Sequence, residues 1–442
     1  MEPWETTGAL PLELRPGRSS SAVDHTSSSQ VDSSESSPFK NFNNLNLMSK
    51  APLETPACVR VLRTLPELEE IRHVWESWPG NRDSDIDVFL TVCRSSPNVL
   101  RPHVVVLFRN GRPSSMLVGR IVDGRFPLKV GYFDLFNPQA RAILFSYGGL
   151  RGDACPESCA ALAREIIKSL VAREADFALL DHVDIDSDLF RYARRLPGFF
   201  LRDHLPSMQH RWIMELPGSI EKLYERLSYN QRSHFRKTGR RLNRSFPGQV
   251  RLRCLHGAAD LDAILRDVEE IAKKTYQRGL GVGFNNNPAQ TAFLRFEAEM
   301  GWLRTYVVYL GDKPCAYWIG AVYQQRFCSD FTGYDPDYTQ HAVGTYILSQ
   351  MLEELCGEGV RAIDFGWTDS AYKERICNIR KREAILYMFA PTPKGVSLSA
   401  MRALTSLVHE PLKTLLERMN LIQNAKQVWR KVARGKGQPG AG

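Results

Sequence analysis

Residues 333–347 read GYDPDYTQHAVGTYI, and the fold turns on this stretch. A strand ends at its start, a polar loop follows, and a helix opens around Ala342–Thr345. Exposed amides at a helix N-terminus, with Gly344 permitting close backbone approach, suit an anion such as a pyrophosphate. A strand–loop–helix joint that holds nothing is the plain alternative. Upstream, Leu303–Tyr309, Cys315–Tyr323 and Phe327–Tyr334 read as three strands, joined at Gly311-Asp312 and at Gln324-Gln325. The spacing predicts an antiparallel meander feeding the helix Thr345–Cys356, then a short strand Ala362–Phe365 and a last strand Ala384–Phe389.

Working outward, Ser219 is placed to cap a helix through Glu221, Leu223 and Tyr224, and Leu261–Tyr276 is amphipathic. The first half repeats this grammar. Leu65–Trp78 has helical apolar spacing, and His103–Phe108 and Ser115–Val118 flank Asn110-Gly111, a hairpin signal. Cys159–Ala172 reads as a helix, Phe177–Leu180 as a buried strand, and Arg211–Leu216 as a strand ended by Pro217-Gly218. The expected class is α/β in the mixed α+β sense, with partly antiparallel sheets flanked by helices and two halves sharing one fold. Residues 1–52 form a Ser/Asn-rich tail, since half of Arg18–Ser37 is serine and cannot offset its ordering entropy. Domains are expected at 53–216 and 217–395, with a basic helical tail at 396–442 broken near Pro411.

Composition agrees with a globular chain. The 442 residues are 43% hydrophobic and 24% charged, which excludes collagen-like, coiled-coil and wholly disordered classes. No apolar run of eighteen residues occurs, and the N-terminus lacks a secretory h-region. Nine scattered cysteines with no CxxC pair argue against a disulfide framework or structural zinc, so no metal is expected and a reducing cytoplasm is. The net charge of +9 permits phosphates, RNA or a lipid surface and selects none of them.

Two further stretches carry chemistry. In Ala362–Asn378, AIDFGWTDSAYKERICN, a strand delivers Asp364, Gly366 allows a sharp exit, and Tyr372-Lys373 follow. Asp364 is equally well a carboxylate capping local amides. Between Glu225 and Asp260 no acidic residue occurs, and Arg232, Arg236, Arg240 and Arg244 recur every four residues on one helical stripe. An anionic partner would relieve that repulsion; a solvated face is the alternative. Gly279-Leu-Gly-Val-Gly283 has the wrong context for a dinucleotide fold. Lys426, Arg430, Lys431, Arg434 and Lys436 sit among apolar residues and suit a membrane surface, with a docked or frayed helix end as the commoner alternative.

Taken together, Arg232–Met388 resembles the GNAT-superfamily acetyltransferase domain of the cellulose-biosynthesis-associated type, a relative of the Fem-type aminoacyl transferases. The likeness rests on Asn230–Leu242, Thr305–Tyr309, Ala316–Tyr323, Tyr334–Gly344, and Asp364-Phe365-Gly366 followed by Tyr372-Lys373. Residues 59–215 resemble the degenerate first GNAT-like half that such proteins carry. The resemblance implies acyl transfer from a thioester, usually acetyl-CoA, to an amine or hydroxyl of a sugar, cell-envelope precursor or other small molecule. It places the acyl-CoA against Phe331, Thr332 and Gly333 and against Gln340, His341, Val343, Gly344 and Thr345, where His341 and Tyr346 depart from the family's pyrophosphate motif. A lysine placed like Lys373 contacts phosphate or the reacting carbonyl. Asp330 or Asp364 would accept the proton, Tyr372 would protonate the leaving thiolate, and Arg232, Arg236 and Arg240 would bind an anion. The competing readings are a Fem-like transferase using aminoacyl-tRNA and a non-catalytic subunit of an exopolysaccharide machine. A synthase complex or the inner membrane face is an open contact, and nucleic acid is disfavoured without being excluded.

Overall fold

The computed structural model describes residues 57–418 except 127, 131–132, 135–136, 276–277, 279–282 and 368. The Ser/Asn-rich tail, most of Gly279–Gly283 and the basic cluster after Arg418 therefore lie outside the described residues. The main strands are β1 Cys58–Leu62, β2 Val104–Arg109, β3 Arg112–Arg125, β4 Gln139–Gly152, β5 Phe177–Asp184 and β6 Ser207–Glu215 in the first half. The second half supplies β7 Val250–Leu255, β8 Leu303–Leu310, β9 Lys313–Tyr323, β10 Arg326–Tyr334, β11 Ala362–Asp364 and β12 Ile379–Phe389.

These strands join one sheet of 13 strands, in the order β1-β2-β3-β4-β5-β12-β6-β11-β10-β9-β8-β7, with Val99–Pro102 pairing β3 off that path. The order reads as two matching halves meeting at β12 and β6. In each half four antiparallel strands lead to one parallel pair, β4 with β5 and β10 with β11. The last strand of each half then sits beside the other half: β6 pairs with β11, and β12 pairs with β5. The two also pair antiparallel with each other, from Ile379 opposite Ile213 to Ile385 opposite Ser207. This is the mixed α/β architecture with tandem halves.

Local sequence explains the joints. Asn110 and Gly111 have φ of 51° and 74°, the left-handed pair that a tight hairpin requires. Gln324 and Gln325 adopt φ of 46° and 61° at the equivalent turn of the second half. Leu65–Trp78 forms two short helices, Leu65–Glu70 and Arg72–Ser77, the first started by a Thr64–Glu67 capping box.

The principal helices are α1 Pro156–Val171, α2 Tyr229–Ser245, α3 Leu261–Ala272, α4 Pro288–Glu299, α5 Val343–Gly357 and α6 Pro393–Arg418. Helix α5 lays Ile347, Met351, Leu352 and Leu355 on the sheet against Tyr306, Val308 and Trp318. Helix α3 covers the other face through Ile264, Leu265 and Val268 against Val307 and Ile319. In the first half α1 packs Leu162 and Ile166 against β2–β5, and Leu386 and Met388 of β12 join that core. Helix α6 runs through Pro411 without the expected break, because one missing N–H removes only one bond from a helix of 26 residues.

Candidate active site

The site forms where β10 and β11 part. They pair only from Arg326 opposite Ala362 to Cys328 opposite Asp364. β11 stops there, while β10 runs on to Tyr334 with its backbone edge uncovered by any described strand. On the other side, Ile319 faces Phe331 but Gly320 faces Ser329, so Asp330 is the extra residue of a β-bulge. The strand opens by geometry rather than by flexibility. Gly333 sits in this stretch, and a Cβ there would lie 2.8 Å from the Tyr317 ring and 2.9 Å from Thr275. Thr332 donates its hydroxyl to the Tyr317 carbonyl at 3.2 Å, and Phe331 stands edge-on to Phe284.

After β10, Asp335 accepts a bond from the Asp337 amide and pairs with Lys274 at 2.8 Å, fixing the tight turn Pro336–His341. Ala342 is left-handed at φ 53°, and α5 begins at Val343 with no side chain capping its first turn. Gly344 lies against Tyr334, whose ring would be 3.2 Å from an added Cβ. Gln340 is exposed, and His341 packs edge-on to Phe246 at 5.0 Å. The uncapped amides and the close glycine form a cradle suited to an anion.

On the facing wall, Asp364 is 2% exposed. It pairs with Arg211 and accepts the Gly366 amide at 2.9 Å. This is the local-capping geometry, reinforced by an ion pair. Lys373 is also buried, and its Nζ donates to the carbonyls of Phe365 at 2.7 Å and Trp367 at 2.8 Å. Burial pulls its pKa down to about 8, with Cys377, Asp364 and Asp369 offsetting part of the effect. Tyr372 is half-buried, edge-on to Trp318 and Phe365.

Asp330 is not alone at the bulge. Arg82, on the first-half turn Arg82–Ser84, reaches across and binds both its oxygens at 2.7 and 2.8 Å. The same guanidinium bonds Glu297 of α4 at 2.9 Å, and Asp83 lies 3.5 Å away. Three carboxylates around one cation in a dry site cannot all ionise cheaply. Burial, opposed by Arg82 and aided by Asp330 and Asp83, raises Glu297 to about 8. The first half thus supplies a wall of the second half's cleft. Arg82 and Glu297 were illegible in the sequence because they lie 215 positions apart.

The first half repeats the splay. β4 and β5 pair only from Ala142–Phe177 to Phe145–Leu180, and the register of β3 with β4 shifts beside that point. A cleft of about 200 Å³ opens there, lined by Tyr147, Gly148, Asp181, His182 and Glu383 among others. Arg211 lies 3.9 Å from the Tyr147 ring and 5.0 Å from that of Trp367, while His182 stacks on Trp367 at 3.8 Å. A charged seam therefore joins the two openings.

Helix α2 buries Phe235, Thr238 and Leu242 and leaves its basic residues outside. The expected arginine stripe divides. Arg232 donates to the Tyr224 carbonyl and Arg236 lies over the Tyr224 ring, whereas Arg240 lines a surface cavity of about 510 Å³ with His234, Lys237, Arg241 and Arg244.

No curated protein matches the chain. The crystal structure of FemX aligns with a TM-score of 0.50 at 13% identity, covering 73% of this chain and 95% of that one. A tandem GNAT protein from the clavulanic acid biosynthesis pathway aligns with a TM-score of 0.41 at 12% identity, covering 76% and 99%. L-PGS from Bacillus licheniformis aligns with a TM-score of 0.44 at 11% identity, covering 79% and 98%. Residues 230–374, which hold the bulge, the cradle and Lys373, match the acetyltransferase (GNAT) domain family.

Proposed function

We propose that the protein is an acyltransferase that moves an acyl group from acyl-CoA to an amine or hydroxyl of a sugar, cell-envelope precursor or other small molecule. One observation carries this reading: β10 leaves β11 at Cys328 and Asp364, and the opening leads to the uncapped start of α5. The backbone of Phe331–Gly333 would hold the acyl-pantetheine arm. The amides of Val343 and Gly344, with Gln340 and His341 beside them, would take the pyrophosphate; the Thr345 amide already donates to the Ala342 carbonyl at 2.9 Å, which leaves its side chain to line the site. Asp330 and Asp364, the proton acceptors suggested by sequence, each hold a guanidinium. Both carboxylates are engaged by those ion pairs, so their role is positioning: Asp330 fixes the bulge and Asp364 fixes the Gly366 exit. Lys373, like Glu297 at the bulge, changes charge near neutral pH, and it would take the proton of the attacking amine. Tyr372 remains the candidate donor to the leaving thiolate. Kinship with the cellulose-associated branch, and a place in polysaccharide synthesis, belong to this proposal and rest on the sequence resemblance.

Thermal unfolding with acetyl-CoA, longer acyl-CoAs, free CoA and bulk tRNA tests it. A ligand at a hundredfold its Kd adds about 2.7 kcal/mol. Stabilisation by an acyl-CoA, with label from its acyl group recovered on an acceptor, supports the reading. The basic outer face of α2 favours a second one, an aminoacyl-tRNA donor; stabilisation by tRNA alone, falling steeply with salt, would replace acyl-CoA with it.

The acceptor's location is also part of the proposal. Phe199 and Phe200 are 64% and 70% exposed, on the turn Phe199–Leu201 that packs against α6. Arg194 and Arg195 end the preceding helix, and Arg202 lies over the Phe199 ring. Exposed apolar tips with Arg202 on one ring and Arg194 and Arg195 close in sequence match an anionic lipid surface. No described helix is long and apolar enough to cross a membrane. Co-sedimentation with anionic but not zwitterionic vesicles, lost in Phe199→Ser/Phe200→Ser, is the expected result.

A further inference from the structure

At the far end of α5 from the anion cradle, three donor atoms converge. Cys254 lies on β7, His256 follows it, and Glu354 lies in the last turns of α5. Cys254 Sγ is 2.8 Å from His256 Nε2, which is 2.9 Å from Glu354 Oε1; all three lie within 4.8 Å of one another. Glu358 stands 3.9 Å from His256 Nδ1. We propose that Cys254, His256 and Glu354 bind a transition-metal ion of the zinc class, with water in the remaining position.

Valence carries the argument. One imidazole nitrogen has either a proton or a lone pair. Protonated, Nε2 donates to Glu354, the thiol donates to Glu354 too, and sulfur and nitrogen are left 2.8 Å apart with no bond between them. Deprotonated, it accepts from Cys254 and meets the carboxylate oxygen as a second lone pair. Hydrogen bonding cannot satisfy both contacts at these distances, whereas one cation at the focus satisfies all three donors. The electrostatics agree. Two carboxylates at a helix C-terminus oppose the macrodipole, and Arg304 offsets only Glu358. Tyr306, the cross-strand partner of Cys254, leaves a buried hydroxyl without a hydrogen bond. Sulfur, nitrogen and one oxygen select zinc, cobalt or nickel over magnesium or calcium.

Binding replaces the thiol proton with the metal and releases it to water, leaving a thiolate, a neutral imidazole and a carboxylate on the ion. Because the ion displaces a proton, affinity must rise with pH. The ion would tie the outermost strand, β7, to the end of α5.

The test uses the full chain, stripped with chelator and titrated with zinc chloride or cobalt chloride. The expected results are a thiolate-to-cobalt charge-transfer band, one more tightly bound zinc than in Cys254→Ser or His256→Gln, and a zinc-dependent rise in Tm only in the parent. The difference between chains is the readout, because other cysteines also catch zinc. His256 is exposed, so His256→Gln keeps the test open should Cys254→Ser fail to fold. Loss of a ligand should weaken binding at least about 10-fold, since even outer-shell changes reach that size. No thiolate band in the parent, or equal zinc affinity in the parent and His256→Gln, overturns the proposal.

Discussion

Arg82 is the residue on which both halves depend. Its two terminal nitrogens make three bonds to Asp330 and Glu297, so removing it leaves those carboxylates without their cation. Arg82→Met should cost about 3–5 kcal/mol, read as a lower denaturant midpoint. Glu297→Gln should instead be nearly neutral at pH 7, because the amide copies the protonated acid. The raised carboxyl of Glu297 contributes stability present at pH 4.5 and lost as pH rises through about 8. Glu297→Gln should flatten that decline in a series of melts. Lys373 gives the kinetic counterpart. A base that is neutral above about 8 predicts kcat/KM rising with pH to a plateau, and Lys373→Met should remove the rise along with most of the rate. Asp364 and Lys373 were legible in the sequence because Gly366 and their short spacing put them on one strand exit. Arg82, Arg211 and Glu297 were not, because a lone charged residue carries no local sign of its distant partner.

At the scale of elements, the glycines on either side of the loop separate fold from binding. Gly333 faces the Tyr317 ring and Thr275 at under 3 Å from a built Cβ, in a packed wall. Gly333→Ala should cost about 1–3 kcal/mol as overpacking and lower the rate with it. Gly344 meets only the exposed Tyr334 ring, which can move. Gly344→Ala should keep its melting temperature and raise KM for the thioester. The meander was readable because its apolar runs are bounded by turn residues. Several strands escaped, Cys58–Leu62 and Val99–Pro102 among them. In β4, Gly148 and Gly149 interrupt the run where the strand bulges. In β7, Arg251 and Arg253 alternate with Val250, Leu252 and Cys254, so a period of two was hidden inside a run of positive charge.

For the molecule as a whole, tandem halves were visible as a repeated grammar of helix, meander, helix and strand. The crossing of β6 and β12 was not, since an isolated apolar strand fits either neighbour and only the assembled sheet decides. A nick in the exposed turn at Gly218 would leave one fragment holding β6 without β11 and the other holding β12 without β5. Each fragment alone should aggregate through its bare edges, while the two expressed together should reassemble into a particle that elutes and melts like the parent.

Topologically, then, the chain is a strand-swapped dimer whose two subunits happen to be tethered. Such a pair cannot be shuffled as modules. A foreign second half would bring its own closing strand into the first half's core, where Leu386 and Met388 must fit Leu180 and Ala178. The half without the anion cradle is therefore held in place by the sheet it completes, whether or not it ever holds a ligand of its own.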